Sequence, residues 1–348
     1  MPRVVGVDPG TVSLDLCGLE DGRLILDATW PTAEALAEPH RLVERLLAMG
    51  PLDLIVGPSG YGLPLRRASE VTEEELRLAF LAAPDDPGGI HGLRALARIL
   101  GATGLPVVFA PGIIHLDSVP RHRKLNRVDL GTADKLCAAA LAIHDQATRR
   151  DRRIDEVSLI LLELGGAFTA GVAVRGGRIV DGVGGTAGPM GWQAAGALDG
   201  EVAFLAGEMS KAALFRGGVT SVLERAPADR GLALEAYVEG AVKAVHQLRV
   251  STPEADEILL SGRMARDSAI FSLLEQGLAS IGAVRVLQGF AQVAKQGAQG
   301  AALIADGLAD GRHRALVERL RIREATGTVL DHLYVISPDD ARRRLGLT

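Results

Sequence analysis

The sequence predicts an α/β protein of two similar lobes, each a mixed sheet covered by helices, and three observations carry that expectation. Strand-like and helix-like periods alternate along most of the chain. A hairpin pattern occurs twice in fixed register. The length of 348 residues exceeds one typical domain and suits two lobes of roughly 150 to 180 residues, each able to bury its own core.

The first hairpin runs from Val7-Asp8-Pro9-Gly10-Thr11 to Gly22-Arg23, the second from Leu162-Glu163-Leu164-Gly165-Gly166 to Gly177-Arg178. In each, an acid is followed two residues later by glycine, then by an apolar strand (Val12 to Leu19; Phe168 to Val174), a Gly-Arg turn and a second strand. The offset of 155 residues carries Asp8 to Glu163, Gly10 to Gly165, Gly22 to Gly177 and Arg23 to Arg178. A glycine turn lets backbone N–H groups approach an anion, and a carboxylate at a strand end can hold hydrated Mg²⁺. Two such hairpins face to face would grip a nucleotide's phosphates. A single Asp-x-Gly turn is an ordinary hairpin feature; the repeat in register is what points to function.

In chain order, residues 3 to 29 read as three strands and 32 to 49 as an amphipathic helix. Leu52 to Gly57 reads as a buried strand, 72 to 82 and 90 to 100 as helices, and Pro106 to Ala110 as a strand. Thr132 to Gln146 is an alanine-rich helix with Thr132 at its N-cap. Arg149 to Arg153 reads as a solvated connection, which divides the chain into 1–148 and 149–348. A long helix is expected from Leu232 to Arg249, a strand over Glu257 to Leu260, a helix from Asp267, a strand over Val284 to Leu287 and a helix from Gly297 to Leu308. The tail, 311 to 348, offers a charged helix and a strand-like apolar segment, Val329 to Ile336.

A net charge of −5 without a long basic run argues against nucleic acid or membrane as the main partner. Two cysteines, Cys17 and Cys137, stand in apolar surroundings without metal-ligand spacing, as expected of a reduced, cytoplasmic protein. The most apolar stretch, Val157 to Val174, is broken by Glu163 and Gly165-Gly166 and reads as strand, turn, strand. No targeting segment is expected, and the histidines, His115, His144 and His246 among them, show no ligand pairing.

The duplicated hairpins, the strand-to-glycine segment Ile258-Leu259-Leu260-Ser261-Gly262-Arg263 and the small-residue helix Gly297-Ala298-Gln299-Gly300-Ala301 together resemble the acetate kinase, sugar kinase, Hsp70 and actin superfamily over residues 3 to 308. The resemblance implies two ribonuclease-H-like (actin-like ATPase) lobes around a nucleotide cleft, with ATP and Mg²⁺ as cofactors. It implies that Asp8, Gly10 and Thr11 form the first phosphate motif, Glu163, Gly165 and Gly166 the second, and Ser261, Gly262 and Arg263 the adenosine motif. Helices near Thr132 and Gly297 become the interlobe connections. The segments Gly57 to Pro64 and Lys124 to Lys135 are most similar to predicted butyrate kinases. Two departures stand out: Glu163 replaces the usual aspartate, and Arg263 replaces the second glycine of the adenosine turn.

The loops that would border the cleft supply the remaining candidates. Ser59, Gly60 and Tyr61 follow a buried strand, and Arg66 with Arg67 offers either a carboxylate or phosphate clamp or a solvated helix start. Arg121 and Arg123 concentrate charge that could neutralise a transferring phosphate, a plain surface loop being the rival. Asn126 is carried as substrate-binding. Asp134 reads as a complement to its helix dipole, and Gly184, Gly185 and Thr186 open a glycine-rich loop suited to wrapping phosphate or acceptor.

The expected activity is ATP- and Mg²⁺-dependent phosphorylation of a small carboxylate, with Asp8 and Glu163 organising the metal through water and acting as catalytic groups beside Arg121 and Arg123. A carboxylate acceptor is already ionised and needs no base, whereas a hydroxyl would need one, with Asp117 and Asp129 as candidates. A sugar or polyol kinase and a non-catalytic ATP-binding regulator are the alternatives. The expected partner is a small molecule, with a second copy of the chain as the candidate for assembly.

Overall fold

The computed structural model describes residues 1–83, 92–207 and 209–347. The first lobe opens with the meander β1 (Arg3–Pro9), β2 (Ser13–Glu20) and β3 (Arg23–Pro31), then α1 (Thr32–Ala37), α2 (Pro39–Ala48), β4 (Leu54–Pro58), β5 (Arg66–Arg67), α3 (Glu73–Phe80), α4 (Leu93–Ala102), β6 (Val107–Ala110) and α5 (Arg121–Lys124). The long helix α6 (Ala133–Arg149) leads to a second meander, β7 (Leu159–Leu164), β8 (Thr169–Arg175) and β9 (Arg178–Val183). There follow α7 (Gly200–Ala206), α8 (Val219–Arg225), α9 (Arg230–Arg249), β10 (Glu257–Ser261), α10 (Ser268–Leu278), β11 (Ala283–Val286), α11 (Gln296–Leu308), α12 (Arg314–Leu320) and α13 (Pro338–Arg344).

The two sheets share one topology. The first runs β3-β2-β1-β4-β6-β5 and the second β9-β8-β7-β10-β11, each an antiparallel meander whose first strand pairs in parallel with the strand after a crossover. The sequence offset persists in the pairing: Asp8 faces Asp15 as Glu163 faces Ala170. Even the irregularity repeats, with a bulge at Gly18/Leu19 and another at Ala173/Val174. Both turns use two consecutive positive-φ residues, Asp21-Gly22 and Gly176-Gly177, which match the twist of a tight hairpin.

Burial is nearly continuous along the central strands because each sheet is covered on both faces, and successive side chains enter opposite cores. Val5 and Val7 enter a core beneath α2, α3 and α4, while Val4 faces the opposite side. Ile160 and Leu162 pack towards α9 and α10, and Leu159 and Leu161 enter the same core as Val4. That shared core contains α6 and α11, which lie between the sheets. Their small residues permit backbone contact: a Cβ at Gly300 would overlap the Cys137 carbonyl, and one at Gly6 would overlap the backbone of Ala298 and Ala302.

Four sequence expectations change. The helix expected over 32–49 is two helices, because Pro39 drives Glu38 out of helical geometry (φ −128°, ψ 61°). The first two residues of the helix expected over 90–100 lie outside the described residues, and α4 begins at Leu93. Arg149 to Arg153 is solvated at Arg149, Asp151 and Arg153 but is not a loose connection, since Arg149 and Arg150 reach the buried Glu257 at 2.7 and 3.3 Å and Arg152 reaches Asp256. Val329 to Ile336 forms no strand; Val329 and Leu330 are buried in the shared core.

The first sheet lies before residue 148 and the second after residue 149, and the tail touches both lobes, with Arg319 donating to the Gly176 carbonyl of the second meander at 2.6 Å. Arg321 pairs with Asp117 at 2.6 Å, Thr326 donates its N–H to the His115 carbonyl, and Arg342 pairs with Glu74. Among the described residues, no helix is long and apolar enough to cross a membrane.

Candidate functional site

Asp8 and Glu163 end the first strands of their meanders, and both line one cavity of about 420 Å³ between the sheets, a volume within the range of small-molecule sites. The turns beyond them are built alike. Gly10 N–H donates to the Ser13 carbonyl at 2.9 Å, and Gly165 N–H donates to the Phe168 carbonyl at 2.9 Å. The hairpins face each other, with Val12 Cγ2 3.7 Å from where a Gly166 Cβ would stand. Gly262, at φ +85°, brings the end of β10 against Leu164 and Gly165. Thr11, Gly185, Thr186 and Arg263 also line the cavity.

The floor is charged. Lys135 Nζ donates to Asp134 Oδ2 at 2.5 Å and to Glu163 Oε1 at 2.8 Å. Burial works against the Lys135 charge, but Asp134 and Glu163 hold its pKa well above the ordinary lysine value. Asp134 is pushed up by burial and brought below the carboxylate norm by Lys135 and by the Thr132 hydroxyl. Glu163 stays above its usual value, because burial, with Asp134 behind it, outweighs Lys135. Asp8 is pushed up to about 7 by burial and by Asp134, against the pull of Lys295 and Lys135. Lys295 Nζ lies 3.4 Å from Asp15 Oδ2, and among the described residues no cation forms an ion pair with Asp8.

This excess of buried carboxylate fits a divalent cation. Among the described residues no group of three or more His, Cys, Asp or Glu side chains forms a direct ligand cage. Asp8 and Glu163 therefore fit a largely hydrated Mg²⁺, which commonly takes one or two carboxylates and completes its shell with water and phosphate.

Not every candidate reaches the cavity. Gly60 and Tyr61 do, but Ser59 lies beneath them, its hydroxyl donating to the Ala110 carbonyl at 2.7 Å and accepting from Leu63 N–H. Arg66 is not a substrate clamp, because Glu75 takes its guanidinium at 3.0 and 2.8 Å. Arg121 donates to the Tyr334 hydroxyl, and Arg123 donates to the Val180 carbonyl beside Asp181; neither lines the cavity. Asn126 is an anchor for the tail, its Oδ1 accepting the N–H groups of Tyr334 and Val335. Ser261 pairs with Glu163 between strands but does not line the cavity, and its buried hydroxyl has no hydrogen-bond partner. Gly184 packs on Asp129, where a Cβ would overlap the carboxylate.

Sequence reasoning passed over several cavity residues. Lys295 stands at the N-cap of α11, and Phe168 and Phe215 meet edge to face at 4.9 Å. Asp129 holds the glycine-rich loop by accepting from Thr186 N–H at 3.0 Å and from its hydroxyl at 2.9 Å. Asp117 is committed to Arg321. Asp134, read as a helix-dipole complement, forms part of the cavity floor. The adjacency of an acid and a base at the start of an interlobe helix was the available signal for Asp134 and Lys135.

Solved structures share this arrangement. The chain is similar to a propionate kinase from Francisella tularensis (TM-score 0.60, 13% identity, covering 86% of this chain and 99% of that one). It is also similar to acetate kinases from Entamoeba histolytica (TM-score 0.56, 11% identity, 80% and 87% covered) and Porphyromonas gingivalis (TM-score 0.55, 14% identity, 81% and 88% covered). At these identities the likeness shows the fold alone, one shared with acetate and propionate kinases. No curated protein matches the sequence. The family described as "Protein of unknown function (DUF1464)" matches residues 6–335, and the chain belongs to it.

Proposed function

We propose that the protein is an ATP-dependent phosphotransferase that converts a small carboxylate to an acyl phosphate. The observation that carries this reading is the convergence of the two hairpin acids, Asp8 and Glu163, with their glycine turns on one cavity. The acetate and propionate kinases of the same fold supply the precedent for the acceptor. In the reaction an acceptor oxygen attacks the γ-phosphorus, the bond from phosphorus to the β–γ bridging oxygen breaks, and ADP carries away the electron pair. With the Gly10 and Gly165 N–H groups taken by Ser13 and Phe168, the neighbouring backbone N–H groups of Thr11 and Gly166 hold phosphate at the two turns. Lys295 and Lys135 take the charge-spreading role first expected of Arg121 and Arg123. Mg²⁺, when bound through water by Asp8 and Glu163, would neutralise phosphate charge. Gly262 and Arg263 form the base end of the nucleotide site. Cys17 and Cys137, both free and buried, accord with a reducing cytoplasmic setting, which belongs to the proposal.

A hydroxyl acceptor is a second reading, favoured by a specific observation: Asp129 lines the cavity as a candidate base, while Arg66, Arg121 and Arg123 lie outside it. Incubation with ATP, Mg²⁺, hydroxylamine and a panel of carboxylic acids distinguishes the two. Hydroxamate formation supports the carboxylate reading. ADP release with polyols and no hydroxamate with any acid would transfer the assignment to a hydroxyl kinase. Mg-ATP binding, seen as a raised melting temperature, without turnover on either panel would leave a nucleotide-binding regulator.

A further inference from the structure

The cavity has two ends of unlike chemistry. One carries Asp8, Glu163, Lys135 and the glycine turns. The other runs into the first lobe between Val7, Phe80, Leu93, Leu96, Leu100 and Phe109. Leu93, Leu96 and Leu100 share one face of α4. Val7 and Phe109 stand towards the carboxyl ends of β1 and β6, where α/β sheets receive ligands. Phe80 ends α3 and closes on Gly60, whose missing side chain admits the ring: a Cβ there would stand 2.8 Å from Phe80 Cδ1. Close-packed interiors rarely leave space between such side chains, and an apolar space of this kind has little use for phosphate or ribose.

The nucleotide has no claim on this branch. On the proposed reading its base lies with Gly262 and Arg263, which adjoin Leu164 of the second sheet, and its phosphates lie between the turns. The branch is lined by β1, α4 and β6 of the first lobe. We infer that the acceptor is a carboxylic acid with an extended apolar body, a medium-length alkyl chain or a phenyl ring, which lies in this branch and presents its carboxylate to the hairpin turns. The inference rests on the phosphotransferase reading for the fate of that carboxylate.

Titration calorimetry of the full chain with sodium acetate, octanoate and phenylacetate tests the branch without requiring turnover. Octanoate and phenylacetate are expected to bind at least tenfold more tightly than acetate, since every two methylenes that enter an apolar site add roughly tenfold in affinity. Leu96→Trp fills the branch, and Ala97→Leu, one residue along the same wall, is a milder filling. In either variant that retains a cooperative melt, the octanoate advantage should shrink at least tenfold. Equal affinity of the wild type for acetate and octanoate overturns the inference, as does an unchanged octanoate affinity in a folded variant. The hydroxamate assay on the same acids separates the two claims. Octanoate binding with no turnover of any acid would overturn the carboxylate-kinase reading and leave an apolar-acid site, whereas acetate turnover without octanoate binding would do the reverse.

Discussion

The Lys135 ammonium lies 2.8 Å from Glu163 Oε1, so a side chain from the first turn of α6 holds the acid of the second hairpin. Both side chains are largely buried, and Lys135 also holds Asp134. Removing the cation strands two carboxylates away from water.

Lys135→Met should therefore destabilise the protein by about 3–5 kcal/mol at neutral pH. Without the ammonium the folded-state pKa of Glu163, already raised by burial, rises further, and that of Asp134 loses the pull that holds it down against its burial. The deficit then grows as pH climbs through the carboxylate range and shrinks when the acids take up protons. Denaturant melts at pH 5 and pH 8 check this, and an equal deficit at both would refute it.

Asp8→Asn should separate stability from activity. The folded-state pKa of Asp8, about 7, stands above its ordinary 3.8. The contribution of its proton to stability is full below about pH 4 and lost as pH rises through 7. Asparagine removes that titration, so the ligand-free variant should gain stability relative to wild type between pH 5 and pH 8. Turnover on a confirmed acceptor should fall roughly a hundredfold, the usual scale for losing one electrostatic contact in a transition state. Paired melts and rate measurements test both halves, and wild-type turnover would move the site elsewhere.

Gly300→Ala introduces a methyl where α11 meets the Cys137 carbonyl of α6. Overpacking of this kind costs about 1–3 kcal/mol or more, because the obstacle is backbone and cannot rotate away. Thermal denaturation should show a clear loss, despite alanine's better helix propensity. A neutral or stabilising effect would mean that the helices do not touch here.

Asn126→Ala should loosen the tail and leave catalysis alone. The change deletes two hydrogen bonds to the backbone of Tyr334 and Val335 and places alanine at φ +54°. A destabilisation of roughly 1–3 kcal/mol is expected from these two effects, with faster proteolysis around residues 326–337. An unchanged KM and kcat would confirm the anchoring role, whereas a KM effect without faster proteolysis would return Asn126 to the substrate site.

The hairpins were legible because their signals are local: an acid, a glycine and a turn pair at fixed spacing determine strand, register and turn within some twenty residues. The charged loops were not, since sequence gives a guanidinium its charge but not its direction. Arg66 turns to Glu75 nine residues on, and Arg121 to Tyr334 across 213. The tail was illegible for the same reason, its place being set by Asn126 and Asp117, far away in the chain. Asp134 and Lys135 were visible as a pair, but only the approach of Glu163, 28 residues beyond Lys135, makes them part of a site.

The matching bulges at Gly18/Leu19 and Ala173/Val174 have a consequence for length variation. Strand faces alternate at every residue, so one inserted or deleted position between the acid and the bulge would turn the acid, or its strand partner, to the opposite side of the sheet. The hairpins can therefore exchange side chains far more freely than they can change their count. Variants of this chain that gain or lose residues should do so at the Gly-Arg tips or beyond the third strand of each meander, leaving both acid-to-bulge intervals at equal length.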